Sequence, residues 1–453
     1  MLISLTVSNF RSIAKEQEFS MVADNYYQDH PEHLTAIPGG KDHLLPAAVI
    51  YGANASGKSN LVKALQFIKE LVLKGSQPGQ PINRQAFRLR KSCASEPSTF
   101  ELRFVHGQRV FGYGFKVTDA EVVDEWLSLF EGEREVPCFE RTTSEGATKV
   151  NTLEGFGGDE HSVHSRIKLL GSIGVRGNQL FLSAARELFD ADAQGPLVRA
   201  VLEWINLLTI IGPNDRFSVL SKFVDDSPEF RTFAGRFLHG ASTGVSGLQV
   251  QKVDYDEQAM SHPSMRVFLD TLAPGQVRPT PDGHIERADG KNFRFARLLA
   301  QHIDESGEGV QFALSDESDG TRRLLDLLPA LYQSKERRRV YVIDEIDRSL
   351  HPLLARKFLE FFLKSSAGER GQMILTTHES NLMDLDLLRR DEIWFTEKNP
   401  DSETRVYPLS DFSIRTDLKV AKGYLQGRFG AIPFLGDIDR LVEGPVQGMG
   451  AAR

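Results

Sequence analysis

Gly52-Ala53-Asn54-Ala55-Ser56-Gly57-Lys58-Ser59 stands between the apolar run Ala47-Ala48-Val49-Ile50-Tyr51 and a stretch where Leu61, Ala64, Leu65 and Ile68 recur at helical spacing. A buried strand, a glycine-rich turn and a helix in that order make a phosphate-binding loop. The backbone N–H groups from Gly52 to Asn60, through Asn54, Ala55, Ser56 and Gly57, form a concave anion site, and the helix adds its positive dipole end. Lys58 is placed to reach the outer phosphates of a nucleotide, and the Ser59 hydroxyl to ligand Mg²⁺.

Length and composition set the frame around that loop. A chain of 453 residues exceeds the usual single core, so two domains or one core with a large insertion are expected. The net charge of −8 argues against coating nucleic acid by bulk electrostatics and leaves room for a local basic groove. Cys93 and Cys138 are too few for a disulfide framework and lack metal-ligand spacing, which predicts free thiols. The opening Met1-Leu2-Ile3-Ser4-Leu5-Thr6-Val7 alternates like a strand and has no basic leader, and no apolar run is long enough for a bilayer. A cytoplasmic protein with no membrane partner is expected.

Three strand-like segments follow the first helix: Thr99–Val105, Arg109–Val117 and Glu121–Phe130. Their three-residue connections make antiparallel hairpins, so an antiparallel β layer is expected after the phosphate-loop helix. From about 162 to 272 the pattern is mostly helical, with amphipathic spacing at Leu180–Phe189, Leu197–Leu208, Phe230–Leu238 and Met260–Leu272. Strand-like text returns between Gly275 and Leu314. Helix and strand then alternate through Thr321–Tyr332, Val340–Ile343, Leu353–Leu363, Gln372–Thr376 and Ile393–Glu397, which predicts a parallel α/β sheet.

Arg339-Val340-Tyr341-Val342-Ile343-Asp344-Glu345 is an apolar strand ending in two carboxylates, delivered to the crevice where α/β proteins bind ligands. Asp344 fits a Mg²⁺ carboxylate, and Glu345 a base for the water attacking a γ-phosphate. The next strand ends at Thr377-His378, placing a histidine beside that base. At Ser315-Asp316-Glu317-Ser318-Asp319-Gly320-Thr321 a helix begins. Its start is a second anion-seeking end or a plain N-cap by Ser318 or Asp319.

Together these motifs resemble the ABC-type ATPase of the SMC, RecN and RecF group. More closely they resemble the stand-alone bacterial AAA-type ATPases of phage-defence loci, related to overcoming-lysogenisation proteins but without a fused Toprim domain. Asn9-Phe10-Arg11-Ser12 matches the family's opening, Gly52–Ser59 its Walker A and Asp344-Glu345 its Walker B with adjacent base. Residues 317–321 stand at the signature, Arg348-Ser349-Leu350-His351-Pro352 at the D-loop and His378 at the H-loop. Tyr424 to Pro433 resembles the closing motif. Asp319 and Thr321 depart from the family's signature wording, and Gln85 and Gln179 both remain open as the Q-loop.

The resemblance implies an α/β fold. It is an ABC-type ATPase head, a mixed sheet with a parallel core and an antiparallel β layer, carrying a largely helical insertion. Residues 1–184 and 301–453 would form the two halves of the head and 185–300 a partner or sensor insertion. It further implies ATP and Mg²⁺ as ligands, with Lys58, Glu345 and His378 in catalysis. Arg11 would lie near adenine or phosphates, and Ser59 and Asp344 on the metal. An ATP-sandwiched homodimer or higher oligomer follows, in which Ser318 and Gly320 of one copy cap the γ-phosphate held by another. After Pro433 a short glycine-containing tail remains, so the effector, such as a nuclease in antiviral defence, is expected to be separate. The alternative is a RecF-like repair ATPase that binds DNA through Arg84, Arg88, Arg90 and Lys91 or through the cluster 335–339.

Overall fold

The structure is a computed structural model. It describes residues 1–153, 175–190, 194–217, 219–255, 272–273, 276–280, 282–287, 293–333, 339–364, 371–414 and 419–432. Most of the helix expected at Met260–Leu272, the cluster 335–338 and the chain from Pro433 onward lie outside those residues.

The central sheet has six strands in the order Leu208–Ile211, Val340–Ile343, Gln372–Thr376, Ala47–Gly52, Ile393–Lys398 and Thr404–Pro408. The first five run parallel and the last is an antiparallel edge. Side-chain alternation along these strands splits the core into two layers. Ala48, Ile50, Val340, Val342, Ile374 and Trp394 face one layer. Ala47, Val49, Tyr51, Tyr341, Ile343, Met373, Leu375, Ile393 and Phe395 face the other. These near-continuous apolar runs are what a strand covered on both faces requires.

The first layer is closed by a seven-stranded antiparallel sheet in the order Ala147–Thr152, Arg134–Ser144, Val122–Glu131, Arg109–Val117, Ser98–His106, Leu2–Ser8 and Gln17–Ser20. The phosphate-loop helix Lys58–Leu73 and the helices Phe181–Leu188 and Pro196–Leu207 pack inside it. Gln372 joins the two sheets: its amide donates to Leu2 O and Leu45 O, each at 3.0 Å, and its carbonyl accepts from Leu2 N. Glu125, fully buried, receives the N–H groups of Phe181 and Leu182 and so caps the helix that begins there.

The second layer holds helices Asp319–Gln333 and Pro352–Lys364, with Leu220–Asp226 and Pro228–Gly240 from the interior of the chain. The fold is α/β with a parallel core and an antiparallel layer, as expected. Among the described residues the helical reading of the middle segment holds as far as Gly240. From Gly247 the described residues form a five-stranded antiparallel sheet: Gly247–Tyr255, Phe293–Ile303, Gly283–Arg287 and Val277–Thr280 in that order, with Gly309–Ala313 also on Phe293–Ile303. Leu208–Ile211, within the stretch expected to be inserted, is a strand of the central sheet beside Val340–Ile343. Three hydrophobic residues after a helix carry too little periodicity to announce a parallel edge strand; pairing with an already buried neighbour makes it one.

Candidate functional site

The parallel strands end on one side of the sheet, and that side gathers the predicted site. Ala47–Gly52 hands over to the loop, whose tip residues Asn54 and Ala55 are exposed, with Ala55 at φ 63°. Gly57 is the N-cap of the helix at φ 116° and makes no side-chain cap bond. A Cβ there would lie 2.2 Å from Thr404 Oγ1, so glycine is required by space as well as by backbone. Beneath the loop, Thr404 Oγ1 donates to Ser56 O at 2.8 Å and shares a 2.7 Å bond with Ser12 Oγ. Asn60 Nδ2 donates to the same Ser12 hydroxyl at 2.6 Å, and Ser56 Oγ bonds Thr396 Oγ1 at 2.7 Å. The Asn-Phe-Arg-Ser opening and the antiparallel edge strand therefore brace the loop from below.

Lys58 is 5 % exposed and donates to Gly52 O at 2.7 Å and Ala53 O at 3.2 Å. Burial lowers its pKa to about 8, against the opposing pull of Asp347, Asp344 and Glu345. It also lies 3.3 Å from His378 Nδ1, which accepts its proton. Burial and the Lys58 charge push the His378 pKa down, so the ring is neutral and its Nε2–H is a donor. Ser59 Oγ donates to Asp344 Oδ1 at 3.1 Å, bringing the two expected metal ligands into contact.

Three contributors to this arrangement escaped the sequence reading. Thr376 Oγ1 donates to Asp344 Oδ1 at 2.5 Å and accepts Glu345 N–H at 2.8 Å, fixing both carboxylate residues from the neighbouring strand. Its position, directly before Thr377-His378, is the signal that could have found it. Asp347 Oδ2 accepts His378 N–H at 3.3 Å. Arg323, buried, donates to Asp344 O at 3.3 Å and Gly212 O at 3.0 Å, tying the helix at 319 to the end of the carboxylate strand. Glu345 occupies the left-handed region at φ 51°, an uncommon state for a non-glycine residue and one that clusters at working sites.

Among the described residues, the polar atoms of this region buried without a partner include Arg11 Nε, Arg323 Nε, Tyr51 Oη and Asp347 Oδ1. An orphaned guanidinium nitrogen next to Ser12 is what a bound anion would satisfy, and a free carboxylate oxygen beside Lys58 and His378 suits a metal's water or an attacking water. The donors Lys58 and Arg11 and the oxygens of Ser59 and Asp344 fit a nucleotide with Mg²⁺. Gln85 is held near this end through its carbonyl, which accepts Arg11 N–H at 2.6 Å, and Gln179 is tied to Glu187 at 2.7 Å.

The helix start at 318 is organised differently. Ser318 Oγ accepts Thr321 N–H at 3.1 Å, so within one chain it is an N-cap. Gly320 has its α-carbon against the D-loop position: a Cβ would meet Ser349 O at 2.7 Å, and Ser349 is itself left-handed at φ 60°. Among residues weighed for DNA contact, Arg84 is buried and spent on Asp119, Ala94 O, Glu96 O and Val117 O, and Arg90 pairs with Glu403. The closing motif packs on the strand next to the phosphate-loop strand, with Tyr424 stacked 5.7 Å from Phe395 and its hydroxyl donating to Ala431 O. Both cysteines are free and buried. Among the described residues no helix is long and apolar enough to cross a membrane.

A family model described as "AAA domain, putative AbiEii toxin, Type IV TA system" matches residues 47–384. No curated protein matches the sequence. Among solved structures the chain is similar to the SMC head domain from Thermotoga maritima, at 14 % identity and TM-score 0.38, over 91 % of this chain and 99 % of that one. It is also similar to an SMC head solved bound to the C-winged helix domain of ScpA, at 12 % identity and TM-score 0.40, over 90 % of this chain and 97 % of that one.

Proposed function

The chain belongs to this AAA-domain family, and on that premise we propose that it binds and hydrolyses ATP as a nucleotide-gated switch over a separate effector in antiviral defence. The observation that carries the reading is the convergence of Lys58, Ser59, Asp344, Glu345 and His378 at the ends of three adjacent parallel strands.

Backbone N–H groups of the loop hold the phosphates, and Lys58 and Arg11 neutralise them. Mg²⁺, held by Ser59 and Asp344, would supply further charge neutralisation on the phosphate oxygens. Thr376 keeps Asp344 and the Glu345 backbone in register. The Glu345 carboxylate accepts a proton from the attacking water, and His378 Nε2–H donates to the γ-phosphate while Nδ1 stays on Lys58.

The switch itself is assigned to residues 317–321 acting on a second copy. Ser318 and Gly320 would close over the neighbour's γ-phosphate, so that ATP joins two subunits and hydrolysis parts them. The middle segment is connected to that element: His302, on the strand Phe293–Ile303, bonds Glu317 at 2.6 Å, immediately before Ser318. Leu248, Leu298 and Ala300 share the buried layer with Leu324, Leu325 and Leu328 of the helix. A partner seated on the sheet from 247 to 313 would therefore shift the γ-phosphate cap. The test is Glu345→Gln: turnover falls roughly 10²- to 10⁴-fold while ATP accumulates on a dimer in light scattering. Turnover equal to that of the unaltered chain would remove Glu345 from the mechanism.

A further inference from the structure

Away from the phosphate loop, three side chains of the His30–His33 turn bring their polar atoms together. His30 Nδ1 lies 3.2 Å and His33 Nε2 4.0 Å from Glu32 Oε1. The candidate ligand atoms of all three residues fall within 4.8 Å of one another. The two imidazoles stack with centroids 4.9 Å apart. They sit against the segment 385–392, which leads into the start of the strand Ile393–Lys398, the end opposite the phosphate loop.

The outer partners of both rings determine what their inner nitrogens can do. His30 Nε2 is 2.8 Å from Leu385 O, a carbonyl that only accepts, so that nitrogen carries the proton. His33 Nδ1 is 2.9 Å and 3.0 Å from the two oxygens of Glu392, a fully buried residue whose Oε2 already accepts Arg389 N–H at 2.8 Å. That nitrogen also donates. In the neutral rings, His30 Nδ1 and His33 Nε2 are thus left as bare lone pairs, both facing the acceptor-only carboxylate of Glu32. Three acceptors directed at one another repel unless a proton on one ring, as in a His30–Glu32 ion pair at 3.2 Å, or a metal ion stands between them.

We propose that His30, Glu32 and His33 form a site for a zinc-class divalent ion, with a fourth position open to water. The donor set, two imidazoles and a carboxylate, is one that Zn²⁺ takes in tetrahedral geometry. Ligand atoms around such an ion are about 3.4 Å apart at ordinary bond lengths; the His30–Glu32 gap of 3.2 Å already matches, and the 4.0 Å His33–Glu32 gap closes by a rotation of the exposed Glu32 carboxylate. The Glu392–His33 contact is the carboxylate–histidine support that metal-binding imidazoles use to set tautomer and basicity. Arg389 secures the same support from behind, bonding Asp391, Asp29 O, Asp24 O and Tyr27 O. The ion would stiffen the 30–33 turn, which the bonds from His30 to Leu385 O and from His33 to Glu392 already hold against the segment leading into Ile393–Lys398.

The test uses the untagged full chain, stripped with chelator and then equilibrated with Zn²⁺ alone. Metal content and chelator-competition titrations are compared with Glu32→Gln and His30→Ala. Glu32 is largely exposed, so its substitution leaves the fold intact, and any metal on Ser59 and Asp344 cancels in the difference. The expected result is one more equivalent of Zn²⁺ per chain than either variant holds, with chelator lowering the Tm of the unaltered chain and not that of Glu32→Gln. Cobalt substitution should add visible bands that both variants lose. Equal zinc content in all three proteins, or a cluster that takes up only protons as pH falls, would overturn the site.

Discussion

Two helix starts in this protein are built from similar residues and do opposite things with their backbone donors. At Gly57 no side chain caps the helix start, although within the loop Ser56 N–H is bonded to Ala53 O at 3.1 Å. At Ser318 the hydroxyl already accepts Thr321 N–H, so the helix end is satisfied within its own chain. A turn that holds Ala55 in the left-handed region costs backbone energy that a bound anion offsets, whereas a serine cap lowers the energy of the chain that carries it. An anion site and a capped end differ in whether the donors have been left free, and composition alone does not reveal which.

Substitution at Gly57 should break the comparison most strongly. Gly57→Ala places a methyl group against Thr404 and forces φ 116° on a residue with a side chain. The expected loss is roughly 2–5 kcal/mol of stability from overpacking and left-handed strain, with nucleotide binding abolished. Thermal unfolding and titration with a fluorescent ATP analogue measure both. Thr376→Val should follow: with Asp344 released, Mg²⁺-dependent turnover falls roughly 10- to 100-fold while the protein stays folded by circular dichroism.

The pH dependence comes next. Lys58 must be charged to hold phosphate, and its pKa in the empty site is about 8. Below that value the free protein already carries the proton. Above it, binding must take one up, so affinity falls by at most tenfold per pH unit between pH 8 and the lysine's ordinary value. Calorimetry in buffers of different ionisation enthalpy should show the proton uptake, and a flat affinity from pH 7 to 9.5 would contradict it.

The smallest effect is expected at the capped end. Ser318→Ala should cost about 1 kcal/mol in unfolding free energy. Ser318→Asp keeps the cap and so keeps stability, yet sets a negative charge where a neighbour's γ-phosphate would lie. Loss of ATP-dependent dimerisation in Ser318→Asp, with nucleotide binding by the single chain unchanged, supports the shared site. Dimerisation equal to that of the unaltered chain leaves Ser318 as a cap and nothing more.

The legible part of this molecule was the part governed by local pattern. The apolar runs at 47–51, 340–343 and 372–376 announced strands covered on both faces, and the structure has them with the same limits or within one residue. The hairpins from 98 to 131 were equally plain, since three-residue connections leave antiparallel pairing as the option. Gly247–Tyr255 was missed although Leu248 and Val250 alternate, because amphipathic helices upstream invited the reading to continue. The candidate residues at strand ends are placed by their neighbours in sequence, while Thr376, Asp347 and Arg323 entered only once strands 340–343 and 372–376 lay side by side.

What the chain determined by itself is the phosphate loop and the acidic strand end, since both depend on residues consecutive in sequence and on the turn and strand those residues must adopt. What only tertiary structure decided is their partnership. The 3.1 Å bond from Ser59 to Asp344, the Lys58–His378 contact and the convergence of His30, Glu32 and His33 against Glu392 join segments 285, 320 and 359 positions apart. Such contacts follow from the order and register of strands in the sheet, which buried area and backbone pairing select across the whole fold and no local window of sequence contains.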